Sequence, residues 1–413
     1  MSFSPILRRG LAGPLVAVAL WAAADAAPPA ADAAAKTRLD ALGAAATAVA
    51  DDAGRLTEIE VRDGAGLTAE DVALFGTLGE LRKLRILNCR LLDDTWVATL
   101  TGLGKLDTLA VTNSAVTDAA VETIAGAFPG LVDLDLSSNT NVSGSAFKWI
   151  ARLPRLERLA LLQNRFNDLH TRRLVKLQDL EVLDLRGNME AGDMTLDVIG
   201  RLPKIRALKH RSTAVTDDGI ARLAASGSLE SLLIQDFAIT SAAGPALARI
   251  RTLTSLEVFR CQGFGSEGLL ALAGLPLARL TLRDLPNVGD EGLAVLDRLP
   301  ELKRLSLQEL ASVGDEGLRH LAASRKLAVL DIWNLPRMTD ATIAVIAGLP
   351  ALEELSIRST GVTDAGLAKL ADAAALESLT LKDNGPLSAE TRARFAARKL
   401  KKLDLDPPPT ADK

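Results

Sequence analysis

Few residues of this chain have the types and the spacing that catalysis or cofactor binding requires. Gly263, Gly265 and Gly268 satisfy the pattern G-x-G-x-x-G, which lets a backbone approach a pyrophosphate between a strand and a helix. Glycine also recurs at the position of Gly268 elsewhere in the chain, at Gly219, Gly292, Gly317 and Gly366. We therefore assign these glycines to a repeating unit, and the sequence predicts no bound cofactor.

Two Gly-Asp-Glu-Gly segments, residues 289–292 and 314–317, place carboxylates 25 residues apart. Such carboxylates could hold a cation, but acidic residues at the start of a helix also complement the positive end of its dipole. The second interpretation accounts for both segments without a ligand, so we predict no metal site.

The three histidines, His170, His210 and His320, lie too far apart in the repeat pattern described below to form one site. The sequence offers no nucleophile with a general base at a recognisable spacing, and we expect no enzymatic activity. His210 is expected to be a core imidazole bonded to backbone or hydroxyl groups, with a gap in the core or a pH-sensitive position as the alternative. Cys89 and Cys261 are expected to be buried free thiols, because about seven strand spacings of ~4.8 Å separate them.

The composition is that of a folded chain of 413 residues, with 48% hydrophobic and 24% charged side chains. The formal net charge is −4, aromatic residues make up 3% and tyrosine is absent. A mildly acidic chain with few aromatic rings lacks both the basic patches and the stacking surfaces of nucleic-acid binders, so we predict no nucleic-acid partner.

A frame of the form L-x-x-L-x-L recurs fifteen times between Leu56 and Leu405, with successive frames 24 or 25 residues apart. Only His210 among its forty-five apolar positions is not aliphatic. The alternation within the frame predicts a short strand whose fourth and sixth residues face a core. A helix is expected after each strand, because a hydroxyl residue and an aspartate, suited to a helix N-terminus, follow many frames. Such pairs are Thr117-Asp118, Thr216-Asp217, Thr339-Asp340 and Thr363-Asp364.

Segments such as VTDAGLAKLADAAALESLTL resemble the leucine-rich repeat family over residues 56–405. They are similar to its cysteine-containing subclass, known from F-box adaptor proteins, and to exported bacterial arrays built on TDxGL units. The resemblance implies an α/β solenoid of about 15 repeats, a curved right-handed superhelix with parallel strands on the concave face and helices on the convex face. It also implies a protein-binding scaffold. The alternatives are a substrate adaptor in ubiquitin ligation and an envelope-associated structural or glycan-binding protein.

The solenoid is expected to occupy residues 56–405, between a preceding segment at 27–55 and a disordered tail at 406–413. A capping helix is predicted over residues 32–50, because Leu39, Leu42, Ala46 and Val49 fall on one helical stripe. Such a helix would cover the apolar end of the first repeat, which has no neighbour on that side.

Residues at the third, fifth, seventh and eighth positions of each frame should point away from the core. In repeats one to four these positions predict a mixed, ordinary surface. In the later repeats arginine and aromatic residues accumulate there, which is typical of interfaces. We expect a protein partner to bind this surface, with an anionic glycan as the other possible ligand. The predicted partner-binding residues are Arg186, Lys209, Arg211, Leu233, Phe259, Arg283, Trp333 and Arg358.

The amino terminus predicts an export signal over residues 1–26. Arg8 and Arg9 precede an apolar run too short to span a bilayer, and Ala24-Asp25-Ala26 matches the small-x-small pattern of a cleavage site. We therefore expect a protein of the periplasm, the cell envelope or the extracellular space, with no membrane span in the mature chain. Amino-terminal sequencing of the protein recovered outside the cytosol should begin at Ala27, and an intact terminus on cytosolic protein would contradict this prediction.

Overall fold

Each frame of the repeat forms one strand of a single sheet. The computed structural model describes residues 29–407, in which sixteen strands lie side by side in chain order. The first strand is antiparallel to the second, and all later neighbours pair in parallel. The fifteen frames correspond to the second through sixteenth strands, which confirms the predicted α/β repeat architecture.

The strands are β1 (Ala46–Ala50), β2 (Leu56–Val61), β3 (Lys83–Ile86), β4 (Thr108–Val111), β5 (Asp133–Asp135), β6 (Arg158–Ala160), β7 (Val182–Asp184), β8 (Ala207–Arg211), β9 (Ser231–Gln235), β10 (Ser255–Phe259), β11 (Arg279–Arg283), β12 (Arg304–Gln308), β13 (Val329–Trp333), β14 (Glu354–Arg358), β15 (Ser378–Lys382) and β16 (Lys402–Leu405).

The α-helices are α1 (Ala30–Ala41), α2 (Ala69–Phe75), α3 (Asp94–Ala98), α4 (Asp118–Ala127), α5 (Phe147–Ile150), α6 (Asp168–Thr171), α7 (Asp193–Gly200), α8 (Asp217–Leu223), α9 (Gly244–Leu247), α10 (Ser266–Leu270), α11 (Asp315–Leu318), α12 (Asp340–Ala347), α13 (Asp364–Leu367) and α14 (Ala389–Ala397). Several repeats use 3₁₀ turns beside or instead of an α-helix, at Gly43–Ala45, Gly64–Gly66, Gly144–Ala146, Arg172–Lys176, Ser241–Ala243, Asp290–Arg298, Arg319–Ala323 and Ala368–Asp372.

The core lies between the sheet and the helical layer. Leu280 and Leu282 of β11 are fully buried, while Thr281 between them is half-buried on the other face. Leu280 pairs in register with Leu256 on one side and Leu305 on the other, so the leucines of successive repeats form continuous columns. The face of the sheet opposite the helices is called the open face below.

The secondary structure of residues 32–50 differs from the single capping helix that the sequence predicts there. The helix ends at Ala41, because Gly43 adopts a left-handed backbone conformation with φ of +61°. Ala46 and Val49 belong instead to strand β1, and Val49 is 53% exposed. The repeats are therefore capped by helix α1, whose Leu39 is buried, together with an added antiparallel strand.

Two predicted segments fall partly or wholly beyond the described residues. The signal peptide at 1–26 and its cleavage site lie outside them, as do residues 408–413 of the tail. Asp406, predicted to begin the disordered tail, donates its backbone N–H to Leu381 O at 3.2 Å. The hydrogen bonding of the last repeat thus extends one residue beyond the predicted boundary.

Aspartates at the helix starts join each repeat to the next one. The Asp193 carboxylate accepts hydrogen bonds from the backbone N–H of Thr216 at 2.8 Å and from its hydroxyl at 2.7 Å. The sequence predicts these carboxylates to complement their own helix dipoles, whereas their shortest contacts are to the helix start one repeat later. We call this series the aspartate ladder. Its acceptors are Asp94, Asp118, Asp168, Asp193, Asp217, Asp290, Asp315, Asp340 and Asp364.

The recurring glycines leave room for this ladder. A Cβ atom on Gly219 would overlap the carboxylate of Asp193, and one on Gly366 would overlap that of Asp340. Gly268 packs in the same way against Ser241 of the preceding repeat and the ring of Phe264. The glycines of the G-x-G-x-x-G segment therefore serve the packing of neighbouring repeats.

The unusual core residues lie where the sequence predicts them. His210 is fully buried, with Nε2 2.8 Å from Ala191 O and Nδ1 3.3 Å from Leu185 O, and burial lowers its pKa. Cys89 and Cys261 are buried free thiols, and burial raises the pKa of Cys261 to about 12. These groups are parts of the core, and their burial keeps the imidazole neutral and both sulfurs in the thiol form at neutral pH.

Replacing Leu280 with alanine should destabilise the protein by about 2–5 kcal/mol, because it opens a cavity in a fully buried layer. Urea titration measures this loss. Thr281→Ala on the same strand is the matched control and should cost far less. Similar losses for the two variants would mean that the strand faces are assigned the wrong way round.

Replacing Asp315 with alanine should cost about 1.5–3 kcal/mol at neutral pH, since Thr339 and the buried Thr342 lose a charged acceptor. Burial raises the pKa of Asp315, but hydrogen bonds from Thr339 and Thr342 more than offset this and hold it below its usual value. The stabilisation should therefore be complete above the unfolded pKa of about 4 and fade as the pH falls below it.

The neighbouring Glu316→Ala is the control for this effect, because the Glu316 side chain is 79% exposed and pairs only with Arg319 at the surface. Unfolding free energies of both variants measured from pH 3 to 7 check the prediction. Equal stability of the two variants at pH 7 would show that the aspartate ladder does not hold the repeats together.

Candidate functional site

The predicted partner-binding residues lie on the open face of the sheet. Most of them occupy the seventh position of their frames, where consecutive strands pair residue by residue. The register runs through Arg211, Gln235, Phe259, Arg283, Gln308, Trp333 and Arg358. Arg186 follows the end of β7 by two residues and lies beyond the paired part of that strand. We call Arg186, Arg211, Phe259, Arg283, Trp333 and Arg358 the arginine–aromatic column.

Trp333 is the centre of the best-defined cluster in this column. The guanidinium carbon of Arg283 lies 5.1 Å from the centroid of the Trp333 ring, and that of Arg358 lies 5.7 Å from it. The strand order places these two arginines on opposite sides of the tryptophan. Cation–π contacts of this kind hold the ring in a fixed position on the open face.

Both of these arginines already have carboxylate partners within the chain. Arg283 Nε donates to Glu309 Oε2 at 2.8 Å, and Arg358 Nη2 donates to Asp331 Oδ1 at 3.0 Å. Their side chains are 40% and 36% exposed, so part of each guanidinium group still faces solvent. The cluster around Trp333 is thus close to electrically neutral, with N–H donors left over at its surface.

The other two arginines of the column are paired in the same manner. Arg186 makes a two-pronged contact with Asp184, with Nη2 2.7 Å from Oδ2. Asp236 receives hydrogen bonds from both Arg211 and Arg260, and these outweigh the effect of burial and hold the pKa of Asp236 below its usual value. These pairs orient the guanidinium planes before any partner arrives.

Two of the four carboxylates that pair with the column come from the eighth position of the frames, and the other two, Asp184 and Asp331, come from the fifth. Asp236 and Glu309 occupy the eighth position with φ of +60° and +55°, in the left-handed region. Most other residues at this position do the same, namely Asn88, Asn113, Ser138, Gln163, Gly187, Arg260, Asp284, Asn334, Ser359 and Asp383. The chain turns at this residue, which we call the left-handed corner. The corner ends each strand and directs the eighth side chain along the edge of the open face. The sequence predicts these residues to point outward, and the asparagines and aspartates that are frequent at this position are a signal for the left-handed conformation, in which these two residue types are enriched.

Two predicted residues behave differently from the column. Lys209 is exposed on β8, as expected. Leu233, predicted to contact a partner, is only 8% exposed in the free protein, so little of its side chain is accessible there. Leu233 lies in register between Lys209 and Glu257, whose longer side chains flank it on the neighbouring strands.

A hollow of about 770 Å³ opens on the same face over β3–β7. We call this space the polar hollow. The sequence predicts an ordinary surface for its part over β3–β5, whereas Arg186 at its other end is a predicted partner-binding residue. The hollow is lined by Leu87, Asn88, Thr112, Asn113, Asp135, Ser137, Ser138, Thr140, Ala160, Leu162, Gln163, Arg165, Asp184, Arg186 and Gly187. Its signal in the sequence is Ala160, at a fifth position that carries longer side chains in most repeats.

Other kinds of site were sought over the same part of the chain. Within residues 29–407 no three His, Cys, Asp or Glu side chains come together as a metal site. No helix in that range is long and apolar enough to cross a membrane. The Gly-Asp-Glu-Gly carboxylates Asp290 and Asp315 instead accept hydrogen bonds from Gly314 and Thr339 in the aspartate ladder.

Comparison with known proteins supports the repeat architecture. The family described as Leucine Rich repeat matches residues 249–273 and 349–371. A chain of the yeast Rad7–Elc1 complex is 17% identical, with 90% of this chain and 92% of that chain covered and a TM-score of 0.57. A leucine-rich repeat protein of Leptospira interrogans is 18% identical, with 86% and 92% covered and a TM-score of 0.50.

An internalin of Listeria monocytogenes is 17% identical, with 86% of this chain and 87% of that chain covered and a TM-score of 0.49. No curated protein sequence matches the chain. At these identities the likeness to solved structures establishes the fold, and the chemistry of the open face has to be judged from its own residues.

Proposed function

The chain is a leucine-rich repeat protein, and on this premise we propose that it is an exported, non-enzymatic scaffold that binds a protein partner through the open face of its sheet. The proposal of export, to the periplasm, the cell envelope or the extracellular space, rests on the amino-terminal sequence around Arg8, Arg9 and Ala26.

The observation that carries the proposal is the arginine–aromatic column. Arg186 and Arg358 are seven strand spacings apart, so the column extends over about 34 Å. A surface of this length suits a protein interface and exceeds what a metabolite needs. Arginine and tryptophan are also the residue types that most often dominate binding energy at protein interfaces.

The ion pairs along the column restrict the chemistry of the partner. Each guanidinium group has a carboxylate beside it, so a purely acidic partner would meet as much negative as positive charge. The groups left to a partner are the solvent-exposed parts of the Trp333 and Phe259 rings and the remaining guanidinium N–H donors. We therefore propose a protein surface with an apolar centre and hydrogen-bond acceptors around it.

This charge balance also bears on the alternatives. An anionic glycan would approach Asp184, Asp236, Glu309 and Asp331 as closely as the arginines, which disfavours it as the main ligand. A substrate adaptor in ubiquitin ligation would share the fold, as would an envelope-associated structural protein. A substrate adaptor would also bind a protein through such a column, and it is the export signal predicted around Arg8, Arg9 and Ala26 that disfavours it. A purely structural protein gives no reason for a column of oriented arginines around aromatic rings.

Trp333→Ala and Arg283→Ala should each weaken binding of the captured partner by about 1–3 kcal/mol, because both residues lie at the centre of the proposed interface. The chain without residues 1–26 serves as bait for the partner, and calorimetry or surface plasmon resonance gives the Kd. Arg319→Ala on the helical side, where Arg319 is 65% exposed, is the matched control and should leave the Kd unchanged.

Thermal unfolding of the same variants separates binding from folding, since the half-exposed column residues should shift Tm little. An unchanged Kd in the combined Arg283→Ala and Trp333→Ala variant would exclude the column as the interface. A loss of affinity in Arg319→Ala alone would move the interface to the helical side.

A further inference from the structure

The polar hollow is deepest beside a small residue of the open face. Asp135 lies at its floor on β5, and its register partners on the two neighbouring strands are Ala110 and Ala160. At the same position other repeats carry long side chains, such as Arg85 and Lys209. Ala110 is buried, whereas Ala160 lines the hollow and leaves space on one side of the Asp135 carboxylate. The hollow of about 770 Å³ lies above this carboxylate.

Asp135 differs from the other carboxylates in and around the hollow. Asp133 pairs with Arg158 at 3.1 Å and Asp184 with Arg186 at 2.7 Å. Among residues 29–407, no lysine or arginine forms an ion pair with Asp135, and its Oδ1 accepts the backbone N–H of Ser137 at 2.9 Å. Burial raises the pKa of Asp135 despite the hydrogen bonds from Ser137. The hollow thus has at its floor a partly desolvated carboxylate that Arg85 influences from a distance but with which no cation of the described residues forms an ion pair.

The rim of the hollow is made of amide and hydroxyl groups. Asn88, Asn113, Ser138 and Gln163 occupy consecutive left-handed corners with φ between +48° and +62°. Asn113 Nδ2 donates to Asn88 Oδ1 at 3.2 Å, and Ser138 Oγ donates to Gln163 Oε1 at 3.4 Å. Each amide keeps further donors and acceptors, which are spaced one strand apart along the rim. Such a row can form hydrogen bonds with the N–H and C=O groups of an extended chain.

We propose that the polar hollow binds an extended peptide segment and that Asp135 receives a lysine or arginine side chain of that segment. The cation forms the direct ion pair that Asp135 does not have within residues 29–407, and the rim binds the peptide backbone. Leu87 and Leu162 in the walls add apolar contacts for neighbouring side chains. The volume is larger than one basic side chain needs and accommodates a segment of several residues.

This inference rests on the proposed function in that the ligand is a protein segment. The hollow shares Arg186 with the arginine–aromatic column, but it does not include the cluster of Arg283, Trp333 and Arg358. From the two surfaces together we expect a partner that has an apolar patch in one region and an extended basic segment in another. The hollow can be tested with peptides alone, without knowledge of the partner.

The test is a titration of the chain with the peptide acetyl-Ala-Ala-Lys-Ala-Ala-amide and with the same peptide carrying Nε-acetyl-lysine. Chemical shifts in NMR spectra report binding. The charged peptide should bind about tenfold more tightly than the neutral one, because only the charged one pairs with Asp135. Asp135→Asn should abolish this preference. Asp133→Asn, on the same strand but already paired with Arg158, is the matched control and should retain it.

The preference should also depend on pH. The charged groups nearest Asp135 are Arg85 on β3, Asp133 on β5, Arg158 on β6, and Asp184 and Arg186 beside β7, and both of these aspartates have arginine partners. The charged peptide should therefore lose its advantage as the pH falls through the raised pKa of Asp135, where the carboxyl becomes neutral.

A loss of the preference in Asp135→Asn cannot be explained by unfolding of this variant. Because the pKa of Asp135 is raised in the folded protein, the charged form of Asp135 destabilises the protein at neutral pH. Asp135→Asn should melt at the same or a higher temperature than the parent chain at pH 7. Equal affinities for the two peptides, or a preference that survives in Asp135→Asn, would overturn the proposal. Such a failure would leave the effects of Trp333→Ala and Arg283→Ala on partner binding intact, so the two proposals fail separately.

Discussion

The contact between consecutive repeats determines every other feature of this protein. A unit of 24 or 25 residues cannot bury its leucines alone, so each unit relies on columns such as Leu256, Leu280 and Leu305 for a core. The aspartate ladder adds a polar connection on the helical side, where a carboxylate reaches the next helix start. Recurring glycines such as Gly219 are required because a larger residue would displace that carboxylate. Together these contacts fix both the spacing and the register of the repeats.

Because the register is fixed, residues at the same position of successive repeats lie next to each other on the surface. Residues at the seventh position form one column over many strands, and the left-handed corner after them brings carboxylates such as Asp236 and Glu309 beside the arginines. At the fifth position, the small Ala160 lies beside Asp135 and lines the hollow above it. The same scaffold therefore presents two different chemistries on one face, without any change in its core.

The sequence predicts those features of the structure that are determined within a single repeat. The frame predicts the fifteen parallel strands and their buried leucines, and its only non-aliphatic position correctly indicates the core histidine, His210. It could not predict features that depend on side chains 25 residues apart. The pairing of Arg283 with Glu309, the burial of Leu233 between longer neighbours and the hollow above Asp135 arise only once repeats are stacked. The strand at Ala46–Ala50 was missed because its apolar spacing also fits a helix.

Photo-crosslinking tests most directly whether the open face is the recognition surface. A photoreactive phenylalanine analogue at Thr281, on the open face beside Arg283, is compared with the same analogue at Ala344, which is exposed on helix α12 of the opposite layer. The account predicts that irradiation of the complex links the partner to position 281 and leaves position 344 unlinked. Efficient crosslinking from position 344, with none from position 281, would contradict it.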